Sequence, residues 1–163
     1  MPEAAQRIGL IADTHGLVRP SIAGAFTGVA CIVHAGDVGS PAVLDYLATL
    51  APVVAVFGNV DDPHDPALAA MRTIPVGALT LHVSHGHELG SPTPEKLVAA
   101  YSADIIVFGH THRAVIRTAS RHGHPVLVVN PGAAGPRRFN LRPSVAILTV
   151  IERDAEAKIV ELP

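Results

Sequence analysis

The chain has 163 residues, 48% of them hydrophobic, and a formal charge of -2. It is long enough to bury a core and short enough to form one domain over residues 1–163, and it carries no global basic field for nucleic acid or an anionic membrane. No apolar run approaches the roughly 18 residues of a membrane span, and the opening Met-Pro-Glu-Ala-Ala lacks the basic-then-apolar layout of a signal peptide, so a cytoplasmic protein is expected.

In chain order, Arg7 to Ala12 is a short apolar run that stops at Asp13-Thr14-His15-Gly16, a buried strand entering a turn. Ser21 to Thr27 is a weak helix. Cys31 to Ala35 is a second strand, ending at Gly36-Asp37, and Ser40-Pro41 then supplies an N-cap with proline in the first helical position, for a helix to about Leu50. Cys31 is the single cysteine, which excludes an internal disulfide and reads as a small core residue. Val53 to Phe57 is a third strand, ending at Gly58-Asn59, and Asp65-Pro66 predicts a short helix through about Arg72. Leu79 to Ser84 alternates apolar and polar residues as a strand does and ends on His85-Gly86-His87. Thr93-Pro94 caps a helix to Tyr101, and Ile105 to Phe108 is a strand ending on Gly109-His110-Thr111-His112. After that the helices cease. Ala114 to Ala119 and Pro125 to Asn130 flank a His122-Gly123 turn, while Val145 to Ile151 and Lys158 to Leu162 flank a charged turn.

Alternating strands and helices argue for parallel strands, and the terminal hairpins add antiparallel ones, which together predict a two-sheet α/β sandwich. Ligands bind beyond the carboxyl ends of such strands, and each polar cluster follows a predicted strand, so the clusters should converge on one site. Asp13-x-His15, Gly36-Asp37, Gly58-Asn59-Val60-Asp61, His85-Gly86-His87 and Gly109-His110-Thr111-His112 offer oxygen and imidazole donors but no thiolate. That mixture suits manganese, iron, nickel or zinc in a catalytic site. Residues two apart on an extended segment share a side, which would let Asp13 and His15 reach one ion. Glycine before Asp37, Asn59 and His110 would permit the bends that turn a strand end toward a ligand. One carboxylate can bridge two cations, and Asn59 can coordinate without adding charge.

This ordered set resembles the calcineurin-like metallophosphoesterases, in particular their small single-domain YfcE-type branch, from Asp13 to Asn130-Pro131-Gly132. The resemblance implies a four-layer αββα sandwich of two mixed β-sheets flanked by helices. It also implies that Asp13, His15 and His112 hold one metal, that Asn59, His85 and His110 hold the other, and that Asp37 bridges them. Asp37, Asn59 and His85 are then also the catalytic candidates. The expected activity is that of a dinuclear metal-dependent phosphoesterase using two divalent transition-metal ions, manganese first, then nickel, iron or zinc. Two ions about 3.5–4 Å apart can hold a bridging hydroxide as nucleophile and stabilise an in-line transition state.

Many family members carry histidine directly after the motif asparagine, and Val60 stands there in this chain. A positioned general acid is typically worth about 10²- to 10⁴-fold, so a phosphodiesterase acting on a small diester is expected rather than an alkyl monoesterase. Asp61, His87, Arg113, Arg137 and Arg138 are candidates for substrate contact or for supporting the ligands. His34 and His82 read as structural histidines inside strands, His122 and His124 as solvated turn residues, and His64 as a loop residue near the motif asparagine. Two alternatives share the fold: a protein-interaction scaffold, as in the retromer subunit, and a nuclease, for which the net charge offers no basic track. A homodimer or larger homo-oligomer is expected from the resemblance.

Overall fold

A computed structural model describes residues 4–163. Ten strands form two five-stranded sheets. The first sheet contains β1 (Gln6–Ile11), β2 (Cys31–His34), β3 (Val53–Ala55), β9 (Ser144–Ile151) and β10 (Asp154–Glu161), in the order β10-β9-β1-β2-β3. The second contains β4 (Met71–Val76), β5 (Leu79–Ser84), β6 (Ile105–Val107), β7 (Val115–Arg121) and β8 (His124–Asn130), in the order β4-β5-β6-β8-β7. In each sheet three strands run parallel: β1, β2 and β3 at one side of the first, with the β9-β10 hairpin antiparallel beside β1, and β5, β6 and β8 in the middle of the second, flanked by antiparallel β4 and β7.

Period-2 alternation assigns each strand's two faces to different partners. Ile8, Leu10 and Ala12 of β1 and its end meet Leu81, Val83, Ile105 and Val107 of the other sheet in the core between the sheets. Ile11 points the other way, onto α1 (Ser21–Ala25) and α2 (Pro41–Ala48), with Ile22, Phe26 and Leu47. On the second sheet Ile106 and Phe108 face outward and pack with Leu97 and Val98 of α3 (Pro94–Ala100). Helix, sheet, sheet and helix therefore stack as four layers, the expected sandwich. Each fully buried Leu, Ile or Val contributes about 1.5–3 kcal/mol, which makes the core between the sheets the main support of the strand ends above it.

The predicted caps are present: Ser40 Oγ accepts from Ala42 N at 3.3 Å, and Thr93 Oγ1 from Lys96 N at 3.2 Å. The helix predicted after Asp65-Pro66 does not form. The Asp65 carboxylate caps a turn through Ala67 N at 2.9 Å, and Met71–Val76 pairs with β5 as an edge strand. Pro75 is tolerated there because an edge strand needs no donor on its outer side, while Val76 enters the core. The last strand also starts earlier than predicted. Asp154 already pairs with Ile151, because the charged residues of β10 alternate with Ala155, Ala157 and Ile159, which pack on the core. Among the described residues, no helix is long and apolar enough to cross a membrane.

Gly9 lies where β1 passes under α1. A Cβ there would stand 2.9 Å from the buried Phe26 ring, whereas one at Gly24 of α1 would meet nothing within 4 Å. Gly9→Ala is expected to destabilise by about 1–3 kcal/mol, and Gly24→Ala to stabilise by about 0.5–1 kcal/mol. Urea unfolding of both variants checks this; equal effects would contradict the packing described.

Candidate metal centre

The ends of β1, β2 and β3 in one sheet and of β5 and β6 in the other lie at the same edge of the sandwich and bring Asp13, His15, Asp37, Asn59, His85, His110 and His112 together. Backbone bonds lace the strand ends: Asp13 N to Gly36 O at 3.0 Å, His15 N to Asp37 O at 3.0 Å and Gly109 N to His85 O at 3.0 Å.

The local conformation differs from the extended one expected for Asp13-x-His15. Asp13 (φ 53°), His15 (φ 45°), Asp37 (φ 55°), His110 (φ 70°) and His112 (φ 62°) all occupy the left-handed region. That region costs a non-glycine residue roughly 1–3 kcal/mol and persists only where the surroundings enforce it, a pattern concentrated at functional sites. Turns, not extended strand, place these side chains on one side. The glycines also do more than bend the chain. Gly36 has φ 98°, but at Gly58 an added Cβ would fall on Asp37 Oδ1, and at Gly109 it would lie 2.9 Å from Asp13 Oδ2. At those two positions glycine supplies space for a carboxylate.

The donor atoms stand at distances suited to sharing a cation. Asp13 Oδ1 lies 3.5 Å from His112 Nε2, 3.8 Å from His85 Nε2 and 3.9 Å from His15 Nε2; Asp37 Oδ2 lies 3.3 Å from His85 Nε2 and 3.7 Å from His15 Nε2. Two donors about 2.1 Å from one cation at a tetrahedral angle sit roughly 3.4 Å apart. Asp13 with His15 and His112, and Asp13 with Asp37 and His85, form two groups whose ligand atoms all lie within 4.8 Å of one another. Asn59 Oδ1 is 3.1 Å from both His85 Nε2 and His110 Nδ1. Asp13 Oδ1, His15 Nε2 and His112 Nδ1 are buried without a hydrogen-bond partner. Buried polar atoms are normally paired, so a cluster left unpaired in this way fits a bound cation.

Hydrogen bonds fix how the donors face. His85 Nδ1–H donates to Ala35 O at 2.8 Å, which points Nε2 at Asp37 and Asn59. Asp13 Oδ2 accepts from His110 N at 3.1 Å and Asp37 Oδ1 from Val60 N at 3.1 Å, so each carboxylate keeps its other oxygen for the centre. Burial alone would raise the pKa of Asp37, but the hydrogen bond and charge of His85, the Val60 amide and His15 outweigh it and hold the group at about 2. Burial pushes His85 down, yet Asp37 and Asp13 beside it and the Ala35 carbonyl reverse the sign and raise it. A cation must displace that proton, so binding weakens in acid. His110 is lowered by burial and by His85.

The remaining candidates separate. Asp61 accepts from Val38 N (3.0 Å), Gly39 N (3.0 Å) and Gly58 N (2.9 Å), and so clamps the Asp37 loop to the Asn59 loop. The His87 ring stands 5.3 Å from that of His85 and 6.3 Å from that of His110, with Nδ1 buried and unpaired. Arg137 and Arg138 line a small cavity together with His112. Arg113 is exposed, and its backbone N–H donates to Thr111 Oγ1 at 3.4 Å. His64, His122 and His124 are exposed, whereas His34 and His82 are buried in strands and held near pKa 4 by desolvation.

Two further supports stand behind the ligands: His34, read from the sequence only as a structural histidine, and Asn130, which had no assigned role. His34 accepts from Gly36 N at Nδ1 (3.1 Å) and bonds Thr14 Oγ1 through Nε2 (3.0 Å), and Thr14 in turn donates to Val38 O (2.8 Å). Asn130, fully buried at the end of β8, donates to Gly109 O (3.1 Å) and Thr111 Oγ1 (3.0 Å) and accepts from Gly132 N (2.9 Å). An asparagine closing an apolar strand before Pro-Gly was the available signal.

The family model for the calcineurin-like phosphoesterase superfamily domain matches residues 7–153. The chain belongs to this superfamily. A relative from Methanothermobacter thermautotrophicus named "Probable metallophosphoesterase" is 32% identical over 161 residues, covering 94% of this chain and 91% of its own. Phosphodiesterase YfcE of Escherichia coli is 29% identical over 118 residues, 68% of this chain and 62% of that one. Its solved structure covers 97% of this chain and 100% of its own with a TM-score of 0.68 at 21% identity. Vps29 from Entamoeba histolytica, solved with zinc, covers 96% and 99% with a TM-score of 0.70 at 24% identity. Superfamily members depend on metal, and Asp13, His15, Asp37, His85 and His112 are candidate ligands in this chain.

Removing the Asp61 carboxylate strips three backbone donors of their acceptor. Asp61→Ala is expected to weaken metal affinity about 10- to 100-fold and to cost about 1–3 kcal/mol of stability. Competition with a chelating dye and urea unfolding read the two effects. Unchanged metal affinity would contradict the clamp.

Proposed function

We propose that the protein is a dinuclear, metal-dependent phosphodiesterase acting on a small phosphodiester. The observation that carries this reading is the convergence of seven oxygen and imidazole donors, several of them buried and unpaired, at the ends of strands from both sheets. Asp13, His15 and His112 would hold one divalent ion, and Asn59, His85 and His110 the other. Asp37 would bridge, since its Oδ2 lies near an imidazole of each set. Manganese is the first candidate, with nickel, iron or zinc as alternatives that the same donors suit. When bound, two such ions activate water at neutral pH and leave a surplus of positive charge over the two carboxylates for an anionic ester.

The chain's own groups orient this chemistry. Ala35 and the Val60 amide fix the directions of His85 and Asp37. Asn59 adds an oxygen without adding charge. Val60, 53% exposed beside Asn59, offers no proton to a leaving group. That favours diesters and activated esters over alkyl monoesters. A net charge of -2 supports a small substrate over a nucleic acid. A single domain, a cytoplasmic setting and a homo-oligomeric state complete the proposal. The Vps29 likeness lies in the fold, and a scaffold has no chemical need for Asp37 or Asn59.

Chelator-stripped protein resupplied with manganese is expected to cleave an activated phosphodiester faster than the matching monoester. Asp37→Ala should fall to background, and Val60→His should raise monoesterase activity selectively. No cleavage of either ester with manganese, nickel, iron or zinc would overturn the enzymatic reading in favour of a scaffold.

A further inference from the structure

The loop between β8 and β9 is built onto the candidate centre. Its start is tied to the Asp13 turn: Ala134 N donates to Ala12 O at 3.0 Å and Gly135 N to Asp13 O at 3.1 Å. Arg19 secures the same stretch from the other side, donating to Ala134 O at 3.2 Å and Gly135 O at 3.0 Å. Beyond this anchor Arg137 and Arg138 line the small cavity that includes His112. Phe139 then stands 84% exposed, far more than any other large hydrophobic side chain of the described residues.

This presentation is enforced. Phe139 (φ 53°) and Asn140 (φ 60°) are consecutive left-handed residues, and Leu141 N closes the turn on Arg138 O at 2.8 Å. An aromatic residue held in that conformation is an outlier that calls for a functional reason. The basic residues nearby are not equivalent. Arg142 is paired with Glu161 at 3.0 Å, and Arg19 is engaged with two carbonyls. Among the described residues, Arg137 and Arg138 have no acidic partner. By contrast, the arginines lining the open groove of about 620 Å³ between α3 and β7 are already occupied: Arg117 by Glu95, and Arg121 by the Val98 and Ala103 carbonyls.

Two uncommitted guanidinium groups beside a phosphate-directed centre match phosphate oxygens in geometry and charge. An exposed phenyl ring with no polar atom, carried on a closed backbone turn, recognises a flat aromatic face by stacking. We propose that the loop over residues 135–142 is the substrate-selecting element and that the substrate is a nucleotide-sized phosphodiester. Arg137 and Arg138 grip its phosphate oxygens while its base stacks on Phe139. This rests on the phosphoesterase reading of the same site and names the substrate class that reading leaves open.

The chain contains no tryptophan, so Phe139→Trp introduces a sole tryptophan fluorophore at the loop tip. Titration of this variant, stripped and manganese-loaded, with AMP, ribose 5-phosphate and inorganic phosphate reads stacking without turnover. AMP is expected to quench the tryptophan saturably, and ribose 5-phosphate and phosphate are not. Adding Arg137→Ala and Arg138→Ala should raise the AMP half-saturation concentration roughly tenfold or more, as lost hydrogen bonds to a charged group imply. Equal response to AMP and ribose 5-phosphate, no response to AMP, or insensitivity to the arginine changes would overturn the proposal. Quenching that tightens progressively with the length of a single strand would overturn the nucleotide-sized assignment. Quenching without ester hydrolysis would sink the catalytic reading alone, and hydrolysis without quenching would sink the loop assignment alone.

Discussion

Two carboxylates, Asp13 and Asp37, are buried beside each other where the two sheets meet, 0% and 3% exposed and with oxygens within 4.8 Å. Like charges out of water cost several kcal/mol per ion unless compensated, and much of the surrounding architecture answers that constraint. His85 is pulled toward its charged form by both carboxylates. Backbone N–H groups of His110 and Val60 each satisfy one carboxylate oxygen. Gly58 and Gly109 keep Cβ atoms out of the space those oxygens occupy. What remains uncompensated faces the imidazoles of His15 and His112, the position a divalent cation fits.

Holding that arrangement requires strain, which the fold supports. Five donor-bearing residues adopt left-handed backbone conformations, and the core shared by the two sheets lies directly beneath them. The three α-helices of the described residues are short, five to eight residues, and cover the outer faces of the sheets. Loops that would be mobile elsewhere are laced together by Asp61, His34 with Thr14, and Asn130. Rigid positioning of this kind is what separates a metal centre from a scatter of polar residues at strand ends.

Much of this was legible in the sequence because apolar strands ending in Asp-x-His, Gly-Asp, Gly-Asn and Gly-His-x-His report a shared sheet edge directly. The polar clusters and a two-sheet α/β sandwich follow from that pattern, whereas the four layers and the division of seven of those residues between two ions follow from the family resemblance. Less visible were features decided by distant partners. Met71–Val76 is a strand because β5 offers it a pairing edge and the core takes Val76; the local Asp-Pro signal marked only a turn. Asp61 is a candidate by its place in the motif, but its three partners, the Val38, Gly39 and Gly58 amides, lie on two separate loops that only the fold brings around it. The spacing of Asp13 and His15 suggested an extended segment, whereas contacts with the neighbouring Asp37 loop fold it into left-handed turns. The roles of Gly58 and Gly109 follow from carboxylates far away in the chain, which no local pattern records.

On the reading proposed above, these side chains hold two ions, with Asp37 between them. Crystals of the protein soaked with manganese, measured for anomalous scattering at the manganese edge, test it most directly. Two peaks about 3.5–4 Å apart are expected, both touching Asp37, one beside Asp13, His15 and His112 and the other beside Asn59, His85 and His110. A single peak, or peaks elsewhere on the surface with this cluster empty, would contradict it.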